Sequence, residues 1–146
     1  MIANELMAFA PKIKELNCRD RTVQFQIDGL TYTSTKWAAS VGLELWPRLT
    51  ALLGSAFTKG LATGDFDSVG LDAIVYVADR AIKDSLIPLV RDVLSRMSVD
   101  KLYPLLQPGK VLEQFDEHFA GEYVHLLKVC IFAIAHNIKG PTYGAH

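Results

Sequence analysis

At 146 residues, 50% hydrophobic and 21% charged, the chain has the length and composition of one globular domain and not of a disordered segment. A formal net charge of −1, with lysines and arginines scattered, excludes the basic field that nucleic acid or an anionic membrane surface would need. Lys128 interrupts the best apolar run, so no stretch reaches the ~18 residues of a membrane span.

Residues 2–16 place Ile2, Leu6, Phe9, Ile13 and Leu16 on one helical face, with Pro11 as a start or kink. Glu5 and the lack of a cationic start argue against a signal peptide. Cys18 and Cys130 lie far apart and form no CxxC pair. Cys130 reads as a small buried hydrophobe, and a reducing setting is the expectation.

Thr22 to Thr33 alternates apolar and polar residues on both sides of Asp28-Gly29. Asp-Gly between two alternating runs predicts a two-residue hairpin, because both turn positions need positive φ.

Ser40 to Leu53 has helical spacing at Val41, Leu45, Leu49, Leu52 and Leu53, with a restart expected at Pro47 and a C-cap at Gly54. Gly60 and Gly64 mark a loop. Residues 67–96 read as a helical hairpin or one kinked helix, capped at Asp67 or Ser68 and again at Asp84 or Ser85, with Pro88 in a first turn. Gln107-Pro108-Gly109-Lys110 suits a type II turn between short extended pieces. A last helix is expected from about Val111 or Asp116 to Ile138, ended by Gly140-Pro141.

The expected fold is mainly α: a small helical domain with an N-terminal β-hairpin. One domain spans 1–146, as an N-terminal segment (1–21), a hairpin (22–34), a helical body (40–138) and a tail (139–146).

The last helix is apolar on nearly every side, so a core, a membrane or another chain must cover it. His118, Glu122 and His125 fall at i, i+4 and i+7 on one face. No fourth ligand accompanies them and the spacing is not HExxH, so a polar stripe is the simpler reading and no metal or cofactor is expected. His136 and Asn137 read as a complement to the helix C-terminal dipole. Asp65, Asp67, Asp72, Asp79 and Asp84 do not match a calcium loop. No GxSxG elbow occurs, and Gly60-Leu-Ala-Thr-Gly64 lacks the Lys-Ser/Thr of a phosphate loop, so no enzyme is expected. Trp37 and Trp46 read as core anchors. Phe115, Phe119 and Tyr123 form an aromatic stripe at i, i+4 and i+8, which fits either core packing or an exposed patch holding another protein's apolar segment.

Three pieces in order carry a family resemblance: the hairpin Phe25-Gln-Ile-Asp-Gly-Leu-Thr-Tyr32, the leucine-rich Gly42 to Gly54, and Phe115-Asp-Glu-His-Phe-Ala-Gly-Glu-Tyr123 before the apolar helix. Together they resemble tail assembly chaperones of long-tailed bacteriophages. The chain departs from the family pattern at Glu122, where a basic residue is common, and at Ile138-Lys-Gly-Pro. The resemblance implies a non-enzymatic protein of the host cytoplasm. It would bind the tape measure protein, with the tail tube protein as a second candidate, self-associate, and be absent from the finished virion. A longer frameshifted product is often part of that pattern. Phe115, Phe119, Tyr123, Leu126, Leu127 and Phe132 are the residues expected in the core or against a partner. The same residues also fit a structural tail, neck or baseplate component, and more weakly a small metal- or ligand-binding regulator.

Overall fold

Asp28 and Gly29 both take positive φ, at 50° and 87°, and fold Thr22–Ile27 (β1) back on Leu30–Thr35 (β2). That is the predicted hairpin, with the turn chemistry that Asp-Gly supplies. The computed structural model describes residues 8–9, 12–13, 15–53 and 71–138. The readings at Gly54, Gly60–Gly64, Asp67–Ser68 and the tail, and part of that for 2–16, lie outside the described residues.

Among the described residues, three helices follow β2: Ala39–Leu53 (α1), Leu71–Lys83 (α2) and Ile87–Val93 (α3). α1 continues through Pro47 without restarting. α3 has Pro88 in its first turn as expected, but its N-cap is Leu86 and no side chain caps it. Ser85 instead takes a positive φ in the turn between α2 and α3.

The chain then returns to the sheet. Met97–Leu102 (β3) pairs antiparallel with β2, and Gln107–Lys110 (β4) pairs with β3. The sheet is four-stranded in the order β1-β2-β3-β4. The expectation of a mainly α fold is therefore corrected: the protein is α+β, with an antiparallel sheet that includes a segment assigned to the helical body. The cause is local. β3 is short and mixes Val99 with Asp100 and Lys101, so it shows no clean alternation. β4 holds Pro108 and Gly109, which read as a turn but sit on an edge strand, where proline is tolerated. The turn itself is Tyr103–Leu106, with a cis Tyr103–Pro104 bond and Leu106 at positive φ. Gly109 faces Leu102 so closely that an added Cβ would lie 2.9 Å from Leu102 Cδ2.

A 3₁₀ turn, Val111–Gln114, leads to a one-turn helix, Phe115–His118 (α4), and then to Tyr123–Ile138 (α5). The expected single helix is thus broken over Phe119–Glu122, where Gly121 takes φ 72°. Thirteen of the 16 residues of α5 are buried. The apolar surplus on this helix is covered from within the chain.

Side-chain alternation makes the sheet two-faced. Phe25, Tyr32, Ser34, Met97 and Val99 share the face that packs on α5. Along α5, His125 meets Tyr32, Phe132 meets Phe25 at 5.4 Å between ring centroids, and His136 meets Ser34. α2 and α3 contact α5 as well, and Leu89, Val90 and Val93 join its core cluster. Trp37 and Trp46 are partly buried against this core with rings edge to face, and Trp37 donates its indole N–H to the Val93 carbonyl. Lys36 donates to the carbonyls of Cys18 and His136, which ties the C-terminal end of α5 to β2.

Phe132 is fully buried at the centre of this packing. Phe132→Ala should cost about 4 kcal/mol of unfolding free energy, as for other large core truncations. Urea denaturation followed by circular dichroism measures it.

Candidate functional site

Two features meet at the break between α4 and α5. One is a buried polar chain that fixes the break against the sheet. The other is an apolar groove that opens beside it.

The polar chain is centred on Tyr32, which is 0% exposed. Its hydroxyl lies 2.7 Å from His118 Nε2 and 2.6 Å from His125 Nε2. The proton positions follow from the outer partners. His118 Nδ1 accepts the Tyr103 backbone N–H at 3.0 Å, so the neutral ring carries its proton on Nε2 and donates to Tyr32. Tyr32 then donates to His125 Nε2, and His125 donates from Nδ1 to Asp28 at 2.9 Å. Lys128 also donates to Asp28, at 2.9 Å. Burial, and then the neighbouring His125, holds the His118 imidazole down to about 4. Burial also keeps the Tyr32 phenol protonated. Burial raises Asp28, but hydrogen bonds from His125 and Lys128 outweigh it and leave the carboxyl below its usual range.

His136 behaves similarly at the far end of α5. It donates Nε2–H to the Asp20 carbonyl at 2.7 Å and accepts from Ser34 at Nδ1 at 2.8 Å. Its expected role at the helix dipole is replaced by this buried pairing. Asn137 accepts the Trp37 backbone N–H at 2.9 Å.

The groove has a volume of about 270 Å³ and lies between α2, α3 and the break. Phe115, Phe119 and Leu126 form its floor, Ile82 and Ile87 its wall, and Tyr123 its rim. Phe115 and Phe119 stack edge to face at 5.5 Å, and the Arg91 guanidinium sits over the Phe115 ring at 5.3 Å. Ile87 is 48% exposed and Tyr123 69%. A site of this size has room for one or two large apolar side chains from another molecule. On the other side of the break lies a charged cleft of about 980 Å³, lined by Asp28, Lys101, Glu117, Glu122 and Lys128 among others.

Four of the six expected contact residues thus line one groove: Phe115, Phe119, Tyr123 and Leu126. Leu127 and Phe132 do not; they are buried in the core. Only Tyr123 of the six is exposed. His118 and His125 meet at a tyrosine hydroxyl, while Glu122 faces the cleft. Among the described residues, no group of three or more His, Cys, Asp or Glu is placed to hold a metal ion. Sequence reasoning missed Ile82 and Ile87, whose helical spacing does not distinguish a core position from a groove wall. It also missed the pairing of Tyr32 and Asp28 with α5, which only the fold brings together.

The α+β body thus carries an apolar groove built on its aromatic motif, with Ile87 and Tyr123 exposed at its edge. Comparison with known families places it more closely. A family model described as phage tail assembly chaperone protein, TAC, matches residues 28–141. The chain belongs to that family, whose role is non-enzymatic. No match is found among curated proteins or among solved structures. Among the described residues, no helix is long and apolar enough to cross a membrane.

Removing the Tyr32 hydroxyl leaves a buried donor on His118 and a buried acceptor on His125 without partners. Tyr32→Phe should therefore cost about 3 kcal/mol, read by urea denaturation. Acid should act through the same chain. His118 is neutral in the fold where the unfolded chain, with its ordinary value of 6.5, binds a proton. Stability is therefore full above pH 6.5 and falls as pH drops towards about 4. His136, lowered by burial, adds to the loss with the same sign. Unfolding midpoints between pH 7 and 4 should show this fall, and His118→Gln should flatten it.

Proposed function

We propose that this chaperone holds apolar helical segments of the tape measure protein in the groove between Ile82, Ile87, Phe119 and Tyr123. The observation that carries the reading is the placement of the family's aromatic motif. Phe115 and Phe119 make an apolar floor, while Tyr123 stands out at the rim. An amphipathic helix laid across α3 and the start of α5 would insert a large side chain onto that floor. Ile87 and Tyr123 would flank it and exclude water. The tail tube protein is a second client for the same surface. The site of action is the host cytoplasm, before tail assembly is complete, and the chaperone leaves before the virion is finished.

Floor and rim differ in what a substitution does. Changing Phe119 removes core packing as well as a contact. Ile87 and Tyr123 are exposed, so their loss should leave the fold intact. The test is co-expression with the tape measure protein, measuring how much of it stays soluble and co-purifies. The wild-type chain should give a soluble complex. Ile87→Ser with Tyr123→Ser should keep the wild-type circular dichroism and weaken binding by at least roughly tenfold, at about 1 kcal/mol or more per anchor. An insoluble tape measure protein beside soluble wild-type chain, or a folded double variant that binds as well as wild type, would sink the proposal.

A further inference from the structure

The two edges of the sheet are built differently. β4 is short, contains Pro108 and Gly109, ends in Lys110, and pairs irregularly with β3 between Val99 and Leu102. Proline, a charge and an irregular register all keep an edge strand from pairing with another chain. β1 has none of these. Its six residues, Thr-Val-Gln-Phe-Gln-Ile, are uncharged and pair with β2 in unbroken register.

Register fixes which backbone groups are left over. Ile27 and Leu30 close the two-residue turn as a hydrogen-bonded pair. The N–H and C=O groups of Ile27, Phe25 and Val23 therefore point to β2. Those of Gln26, Gln24 and Thr22 point to the open side, and all three residues are exposed. Among the described residues, no backbone hydrogen bond reaches them from that side. A groove of about 490 Å³ runs beside the strand, between Val23–Gln26 and Lys12, Glu15, Leu16 and Asn17.

We infer that this edge is a self-pairing surface: β1 of a second copy adds antiparallel across a two-fold axis at Gln24, joining two four-stranded sheets into one. The argument for a second copy is complementarity. Gln24 is the middle of the three outward-facing residues, so an axis there pairs all of their N–H and C=O groups. Gln24 then faces its own copy, and Thr22 faces Gln26, polar against polar. On the other face Val23 falls opposite Phe25 and extends the apolar surface. A one-residue slip would set polar residues over apolar ones. A two-fold axis opposes like charges wherever a paired strand is charged, and β1 carries none. The pairing uses no residue of the apolar groove.

The test is sedimentation of the chain alone over a concentration series, with no client present. It is therefore independent of the client proposal. Wild type should form a concentration-dependent dimer. Gln24→Pro removes an outward N–H but no bond to β2, and Gln24→Lys sets two ammonium groups against each other. Each change acts twice across the axis, so each should raise the dimer dissociation constant at least roughly tenfold. Gln24→Cys should cross-link as a dimer on mild oxidation, because hydrogen-bonded antiparallel partners lie about 5.5 Å apart at Cα, within disulfide reach. Thr33→Cys, on the inner strand β2, should not, and the native Cys18 and Cys130 are buried. A monomer at every concentration overturns the inference, as does a folded Gln24→Lys variant that dimerises like wild type. If Gln24→Lys left self-association unchanged but lost the tape measure protein in the co-expression assay, the edge would belong to the client, and the inference would be overturned equally.

Discussion

Every polar side chain that α5 turns towards the sheet must find its partner there, and this requirement sets how the helix sits. Burial of an imidazole or an ammonium is tolerated only with its hydrogen bonds made. His125 finds Tyr32 and Asp28, Lys128 finds Asp28, and His136 finds Ser34 and the Asp20 carbonyl. These contacts span most of the helix. Sliding or rotating it by one residue would strand several buried groups at about 1–3 kcal/mol each. Apolar packing drives α5 into the core, but the polar pairs choose its register.

Their effect continues into the break before α5. His118 accepts from the Tyr103 backbone and donates to Tyr32, so it pins the Tyr103–Leu106 turn and α4 to the same hydroxyl. With α4 fixed, Phe115 and Phe119 are held under α2 and α3, and Tyr123 is left at the surface. The groove is thus a by-product of how the chain satisfies its buried histidines. The family match, over residues 28–141, takes in the whole of this arrangement from Asp28 onward, while β1 precedes it.

Much of this was legible in the sequence, and the failures have physical causes. Asp28-Gly29 announced the hairpin because few dipeptides accept two positive φ values. The all-round apolar character of residues 124–135 announced a buried helix. Periodicity could not say what buries it, and the answer is a sheet half of which was hidden. β3 alternates poorly, and β4 carries the Pro-Gly pair that usually marks a turn. The aromatic stripe was found as a set, yet its division into floor and rim depends on a single glycine, Gly121, whose positive φ ends one helix and reorients the next. Ile87 gave no sign of exposure, since its neighbours Leu89 and Val90 are buried on the same short helix.

The segment Phe119–Glu122 is also a partition. Ala120 lines both the apolar groove and the charged cleft behind it. Ala120 therefore belongs to the lining of both spaces, next to Gly121 with its positive φ and two residues after His118, whose ring is hydrogen-bonded to Tyr32 and Tyr103. Glu117, Glu122 and Lys101 line the cleft on the far side of Ala120.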